Sequence, residues 1–127
     1  MSNSFLVTGC AGFIGSHMVD LLTDLGHNVV GLDKFTYAAS ISNLDNVDGS
    51  KFDLVKGDIC DTRLITDICS DHKVDTIINF AAESHVDNSI KSISPFLKSN
   101  IEGVSSILSA CRIFPKINLL HISTDEV

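Results

Sequence analysis

Residues 4–15 read Ser-Phe-Leu-Val-Thr-Gly-Cys-Ala-Gly-Phe-Ile-Gly, an apolar run that leads into three glycines at a spacing of three. The run predicts a buried strand over 4–8. Apolar residues then recur at helical spacing until Gly26 and predict a helix: Ile14, Met18, Leu21, Leu22 and Leu25. A strand that turns through glycines straight into a helix is typical of the opening unit of a parallel α/β sheet.

The alternation of strands and helices continues along the chain. Further strands are predicted over 28–32, 52–56, 76–81 and 117–122. One helix is expected after the N-cap residue Asp61 and another from about Pro95, with its apolar stripe at Leu97, Ile101, Val104, Leu108 and Cys111. Right-handed crossovers then give the strand order 3-2-1-4-5. The expected fold is a Rossmann-like, doubly wound parallel α/β sheet, truncated after the fifth strand at an uncovered edge.

Length and composition exclude several classes of protein. The 127 residues make one domain, or the N-terminal portion of one, spanning 1–127. A net charge of −7 argues against nucleic acid as a partner. No run of 18 apolar residues predicts a membrane span, and the first residues do not resemble a secretory signal. Four scattered cysteines indicate reduced thiols in a cytoplasmic protein without a metal site.

The glycine-rich turn suits a phosphate group. Gly9 permits a tight turn, Gly12 lets the backbone approach a pyrophosphate, and Gly15 lets the helix pack closely on the strand. The free N–H groups at the start of the helix would face the anion. An ordinary glycine-rich turn between strand and helix is the alternative for this stretch.

Acidic residues follow the second and third strands. Asp33 could accept a hydrogen bond from a ribose 2′-OH and would repel a 2′-phosphate, which favours NAD over NADP. A role as a helix or loop cap is the alternative for Asp33, and the neighbouring Lys34 could tolerate the extra phosphate. In such a fold Asp58 could accept from the adenine amino group while Ile59 packs on the ring; a simple turn is the alternative there.

Four stretches together resemble the extended short-chain dehydrogenase/reductase family, and within it the nucleotide-sugar 4,6-dehydratases that act on dTDP-glucose. They are Thr8 to Gly15, Asp33 to Ala38, Ala81-Ala82-Glu83-Ser84-His85-Val86-Asp87, and Ser123-Thr124-Asp125-Glu126-Val127. The first stretch is shared by the wide family, whereas the last two are narrower signals. The resemblance implies a nucleotide-sugar substrate and an NAD cofactor.

The resemblance also implies the residues of the cofactor site. Beyond the three glycines they are Phe13, Ile14, Asp33, Lys34, Phe35, Thr36, Asp58, Ile59, Phe80, Ala81, Ala82, Ser84 and Ser99. Ser84 would also approach the sugar diphosphate. Longer members of the family are homodimers, with the helix around Leu97–Cys111 contributing to the interface.

The last residues carry the chemistry that the resemblance implies, a lyase reaction. Glu126 would remove the C5 proton of the oxidised sugar, Asp125 in its protonated form would donate to the departing C6 hydroxyl, and Thr124 would hydrogen-bond the C4 oxygen. The separated pKa values that this needs can come from burial beside a cofactor.

One part of the family pattern is absent from these 127 residues. Members use Tyr-x-x-x-Lys to deprotonate the C4 hydroxyl, but the only tyrosine is Tyr37, and Ile41 stands four residues on. We therefore expect little or no turnover from this chain alone. A non-catalytic NAD-binding module and a different sugar-nucleotide enzyme, an epimerase or a decarboxylase, are the alternatives.

Overall fold

A computed structural model describes residues 3–35, 40–81 and 101–123 of the chain. Five parallel strands form one sheet in the order β3-β2-β1-β4-β5, which confirms the predicted Rossmann-like topology. The strands are β1 (Ser4–Thr8), β2 (Asn28–Asp33), β3 (Phe52–Lys56), β4 (Thr76–Asn79) and β5 (Asn118–His121). The helices are α1 (Phe13–Asp24), α2 (Thr62–Asp71) and α3 (Gly103–Ile113), with a short 3-10 helix at Ile41–Leu44.

Local signals explain where some elements begin and end. The side chain of Asp61 accepts a hydrogen bond from the N–H of Leu64 at 3.1 Å, so the predicted N-cap of α2 is confirmed. β4 ends at Asn79, two residues before the predicted end, and the Asn79 side chain accepts the N–H of Ala81 at 3.2 Å. The predicted start of the last helix near Pro95 lies outside the described residues.

Apolar side chains cover both faces of the sheet. On one face Leu6 and Ile77 belong to a cluster that includes Ile65 of α2 and Ile107 of α3. On the other face Val7 and Ile78 pack in a second cluster with residues of α1. Because neighbouring residues of one strand point to opposite faces, this arrangement explains the continuous apolar runs of β1 and β4.

The predicted apolar stripes of two helices coincide only in part with their buried faces. In α1, Ile14 is 63% exposed and Leu25 64%, whereas the buried residues are Gly15, Ser16, Val19, Leu22 and Thr23. In α3 the stripe at Leu108 faces outward, while Ser106, Ile107 and Ala110 are buried. Small residues on the inner faces let each helix approach its neighbour closely. In these two helices the size of a residue therefore indicates the buried face better than its hydrophobicity does.

None of the helices in the described part of the chain has the length and apolar character that a membrane span requires.

Candidate dinucleotide site

The carboxyl ends of all five strands lie along one edge of the sheet, because the strands are parallel. The loops that leave this edge carry the predicted cofactor residues of the first three strands, together with Phe80 and Ala81 after β4. The remaining predicted residues lie outside the described residues: Thr36, Ala82, Ser84, Ser99, Thr124, Asp125 and Glu126.

Two glycines make the turn after β1 possible. Gly9 has a φ of +69°, a conformation that side chains disfavour, and a Cβ there would lie 3.0 Å from the backbone N of Ala81. A Cβ on Gly15 would lie 2.1 Å from the carbonyl oxygen of Gly9. Gly15 therefore lets the helix pack closely, but the backbone that it meets is the turn directly after β1 and not the strand that the sequence predicts.

The start of α1 leaves backbone donors available. Gly12 is the N-cap and supplies no side-chain cap, and the first helical hydrogen bond runs from the N–H of Ser16 to the carbonyl of Gly12 at 2.9 Å. The N–H groups of Phe13, Ile14 and Gly15 have no partner among the described residues. A Cβ on Gly12 would meet only the Gly9 oxygen, at 3.4 Å, so the surface beside these donors is open. Such a helix start is suited to an anion.

Asp33 ties the end of β2 to the glycine-rich turn. Its Oδ2 accepts the N–H of Ala11 at 2.9 Å, and its Oδ1 accepts the N–H of Phe35 at 2.7 Å. The capping role raised as the alternative for Asp33 is thus present. Each carboxylate oxygen can accept two hydrogen bonds, so this role leaves acceptor capacity for a ribose hydroxyl.

The chain turns sharply directly after Asp33. Phe35 has a φ of 61°, which is unusual for a residue with a side chain, and the Asp33 carboxylate holds its N–H in that conformation. The Phe35 ring packs partly buried against the cluster under α1. The acid and the turn beside it therefore have one defined geometry without any ligand.

Lys34 and Asp58 form an ion pair across the β2 and β3 loops. The Lys34 Nζ lies 3.2 Å from Oδ2 of Asp58. Burial by itself raises the pKa of the Asp58 carboxyl, but the N–H of Cys60 and the Lys34 ammonium outweigh it, so this pKa lies below its usual range. The positive charge of Lys34 is paired, which weakens the case that it would attract a 2′-phosphate.

The other described residues of the predicted site differ in exposure. Phe13 is 74% exposed at the start of α1, with its ring edge-on to that of His17. Ile59 is 6% exposed and belongs to the core cluster with α2, so little of its side chain is left to contact an adenine ring. Phe80 and Ala81 are partly buried beside the glycine-rich turn.

Cys10 lies inside the turn and fills space under β2. Cys10 is fully buried, and a Cβ on Gly31 would lie 2.6 Å from the Cys10 Sγ. Burial and the nearby Asp33 carboxylate raise the pKa of the Cys10 thiol to about 12. The interpretation of Cys10 as a small filling residue rather than a reactive thiol is supported.

We expect Cys10 to resist alkylation in the folded chain. With a pKa of about 12, only about one thiol in ten thousand is ionised at pH 8, and the thiolate is the reactive form. Iodoacetamide labelling at pH 8 followed by peptide mass spectrometry should modify Cys10 only after denaturant unfolds the chain. Rapid labelling of Cys10 in the native chain would contradict this prediction.

Sequence reasoning missed two polar residues that organise this edge. The side chain of Asn43 donates to the carbonyl of Ala11 at 2.8 Å, from a segment with almost no sequence signal. Asn79 is buried at the end of β4 and hydrogen-bonds three neighbouring segments. The sequence feature that could have identified Asn79 is a polar carboxamide at the end of an otherwise largely apolar strand.

The sheet order, the glycine-rich turn and the acid at the end of β2 define a chain of the Rossmann-like class. The family model described as GDP-mannose 4,6 dehydratase matches residues 6–127, and the chain belongs to this family.

Known proteins with similar sequences and structures fit this assignment. The chain is 41% identical to a dTDP-glucose 4,6-dehydratase from Xanthomonas campestris, over 98% of this chain and 38% of that protein. It matches the DesIV structure, a dTDP-glucose 4,6-dehydratase from Streptomyces venezuelae with NAD and TYD bound, with a TM-score of 0.88 and 40% identity, covering 98% of this chain and 40% of the other. The chain thus spans about 38% of the length of the curated relatives from Xanthomonas campestris that it matches.

Epimerases share the same fold. A UDP-glucose-4-epimerase from Stenotrophomonas maltophilia with bound NAD matches with a TM-score of 0.88 and 31% identity, over 100% of this chain and 38% of that one. The fold alone does not separate the two reactions.

Proposed function

We propose that this chain binds NAD and serves as the dinucleotide-binding part, over 1–127, of a nucleotide-sugar 4,6-dehydratase. The observation that carries the proposal is the hydrogen bond from the Ala11 N–H to Asp33. It holds the carboxylate that would bind the ribose beside the glycine-rich turn that would bind the pyrophosphate. The relatives crystallised with NAD support it.

The described residues fit the cofactor. The open surface beside Gly12 and the free N–H groups at the start of α1 suit a pyrophosphate. Asp33 accepts ribose hydroxyls and repels a 2′-phosphate, while Asp58 keeps its negative charge and pairs Lys34. At these residues the cofactor would supply the redox chemistry, which is the uptake of a hydride from C4 of the sugar and its later return to C6.

The acid–base chemistry belongs to three residues after β5. We propose that Glu126 takes the C5 proton, that Asp125 stays protonated and donates to the C6 hydroxyl as it leaves, and that Thr124 orients the C4 oxygen through a hydrogen bond. The narrow Ser-Thr-Asp-Glu-Val stretch supports these roles. The stretch also follows β5 closely in the sequence, and α/β sheets bind ligands beyond the carboxyl ends of their strands.

The remaining proposals concern location and assembly. No disulfide joins the four cysteines, which supports a cytoplasmic location. The complete enzyme would be a homodimer that takes a nucleoside-diphosphate glucose, with dTDP-glucose favoured by the similarity to dTDP-glucose dehydratases. The segment around Leu97–Cys111 would contribute to its interface.

Calorimetric titration of NAD and of NADP into the chain tests the cofactor assignment. We expect NAD to bind at least about tenfold more tightly than NADP, because the Asp33 carboxylate opposes a 2′-phosphate. Equal binding of both dinucleotides would overturn the role of Asp33. Binding of neither would overturn the proposed function of this chain.

The variant Gly12→Ala separates binding from folding. The backbone of Gly12 (φ −75°, ψ 171°) accepts an alanine, so stability should change by no more than roughly 1 kcal/mol. The added methyl group enters the space proposed for the pyrophosphate and should weaken NAD binding by about tenfold or more. Gly49→Ala is the matched control, because a Cβ there meets nothing within 4 Å.

A non-catalytic NAD-binding module is the second candidate, favoured by the absence of Tyr-x-x-x-Lys from these 127 residues. Without that base the first oxidation lacks a proton acceptor, and we expect little turnover of dTDP-glucose by the chain with NAD. Rapid formation of the 4-keto-6-deoxy sugar would overturn this expectation and the second candidate together. A 4-epimer as product would favour an epimerase.

A further inference from the structure

The carboxamide of Asn79 lies at the junction of three strands. The residue is 1% exposed, and a polar group buried this deeply needs hydrogen-bond partners. The Thr8 hydroxyl at the end of β1 and the N–H of Ala81 both donate to its Oδ1. Its Nδ2 lies 3.0 Å from Nδ1 of His121 at the end of β5.

These contacts settle which way the carboxamide points. The N–H of Ala81 can only donate, so the atom that faces it must be the oxygen of Asn79. The amino group therefore faces His121, and Nδ1 of that ring must accept. A ring nitrogen accepts only when it carries no proton, so this hydrogen bond selects the form of His121 that has its proton on Nε2.

Each partner of Asn79 borders a segment of the site. Thr8 directly precedes Gly9, and a Cβ on Gly9 would lie 3.0 Å from the Ala81 backbone, so these two segments touch. The backbone carbonyl of Asn79 also accepts the N–H of Ile122 at 3.1 Å, directly after His121. The Asn79 side chain thus links the end of β1, the segment after β4 and the end of β5, beside the backbone hydrogen bonds that also join them.

We propose that Asn79 is a positioning residue for the dinucleotide site, with the Nε2–H form of His121 as its partner. The inference rests on the proposed function, since it concerns NAD binding. Asn79 acts through the segments that it joins: its oxygen keeps the glycine-rich turn against the segment after β4, and its amino group holds the end of β5.

Two substitutions of Asn79 test whether its hydrogen bonds position the site or whether its side chain only fills space. Asn79→Leu removes all three side-chain hydrogen bonds, and we expect it to weaken NAD binding about tenfold or more in a chain that still unfolds cooperatively. Asn79→Asp keeps an oxygen for Thr8 and Ala81 and should hold NAD affinity within about threefold of the unaltered chain. Its second oxygen requires an N–H from His121, so a proton should move to Nδ1 of that ring.

Calorimetry with NAD and the ring-nitrogen chemical shifts of His121 in NMR spectra measure these outcomes. Asn118→Ala, at the opposite end of β5, is the matched control and should change neither. If Asn79→Leu does not fold, the inference is still tested by which ring nitrogen of His121 carries the proton in the unaltered chain and in Asn79→Asp.

Two results would overturn the inference alone: unchanged NAD affinity in folded Asn79→Leu, or a proton on Nδ1 of His121 in the unaltered chain. Absence of NAD binding by the unaltered chain would overturn the proposed function and, with it, the inference.

Discussion

Replacing Gly15 by alanine should abolish measurable NAD binding and lower the free energy of unfolding by roughly 3 kcal/mol. The added Cβ would lie 2.1 Å from the carbonyl oxygen and 2.9 Å from the carbonyl carbon of Gly9, and both are backbone atoms that cannot rotate away. The better helix propensity of alanine, worth about 1 kcal/mol, offsets only part of this clash. Either α1 or the glycine-rich turn must move, and both face the proposed pyrophosphate.

Chemical denaturation and calorimetry measure the two effects of Gly15→Ala. Gly49→Ala, made in open space, should leave both quantities unchanged. Comparison with Gly12→Ala is informative, since that variant should lose affinity but retain its stability. A Gly15→Ala chain with the stability and NAD affinity of the unaltered chain would show that the turn and helix do not pack as described.

Replacing Asp33 by alanine should weaken NAD binding about a hundredfold and remove the preference for NAD over NADP. The N–H groups of Ala11 and Phe35 lose their acceptor, at a cost of about 1–3 kcal/mol for each one left buried without a partner. Phe35 also loses the hydrogen bond that accompanies its positive φ. The ribose loses its acceptor, and the charge that opposes a 2′-phosphate is gone.

The ratio of the two dissociation constants separates recognition from stability. Both dinucleotides bind the same folded variant, so any loss of folded chain affects them equally and cancels in the NADP-to-NAD ratio. Asp67→Ala, an exposed acid on α2, controls for the change in net charge. If Asp33→Ala keeps the ratio of the unaltered chain, Asp33 is only a cap for the loop.

Sequence patterns predicted the strand order, the Asp61 cap and the packing role of Gly15, because these depend on neighbours close in the chain or on strict steric limits. The predicted apolar stripes of α1 and α3 match the buried faces only in part. Ile14 and Leu108 are exposed although they are apolar, while Ser106 is buried and its hydroxyl donates to the Cys60 carbonyl at 3.1 Å. Periodicity reports hydrophobicity, and it does not report how closely two helices or a helix and a sheet approach.

In the cofactor site, too, local features were predictable from the sequence and contacts between distant residues were not. The glycine spacing and the acid after the second strand are local features, and they were sufficient to predict a dinucleotide turn. The sequence left open whether Asp33 is a ligand or a cap, and the structure shows that it caps the turn with acceptor capacity to spare. The ion pair of Lys34 with Asp58 joins two separate loops, so no local sequence pattern predicts it.

The sequence by itself determined the class of fold and the residue types at the edge of the sheet, since strand and helix periods and glycine spacing act over short stretches of chain. Only the tertiary structure decided how distant residues meet. Thr8, Asn79 and His121 lie on three strands far apart in the sequence, and parallel pairing brings them to one edge. The orientation of the Asn79 carboxamide and the proton of His121 follow from that meeting, because hydrogen-bond partners are assigned by proximity in space.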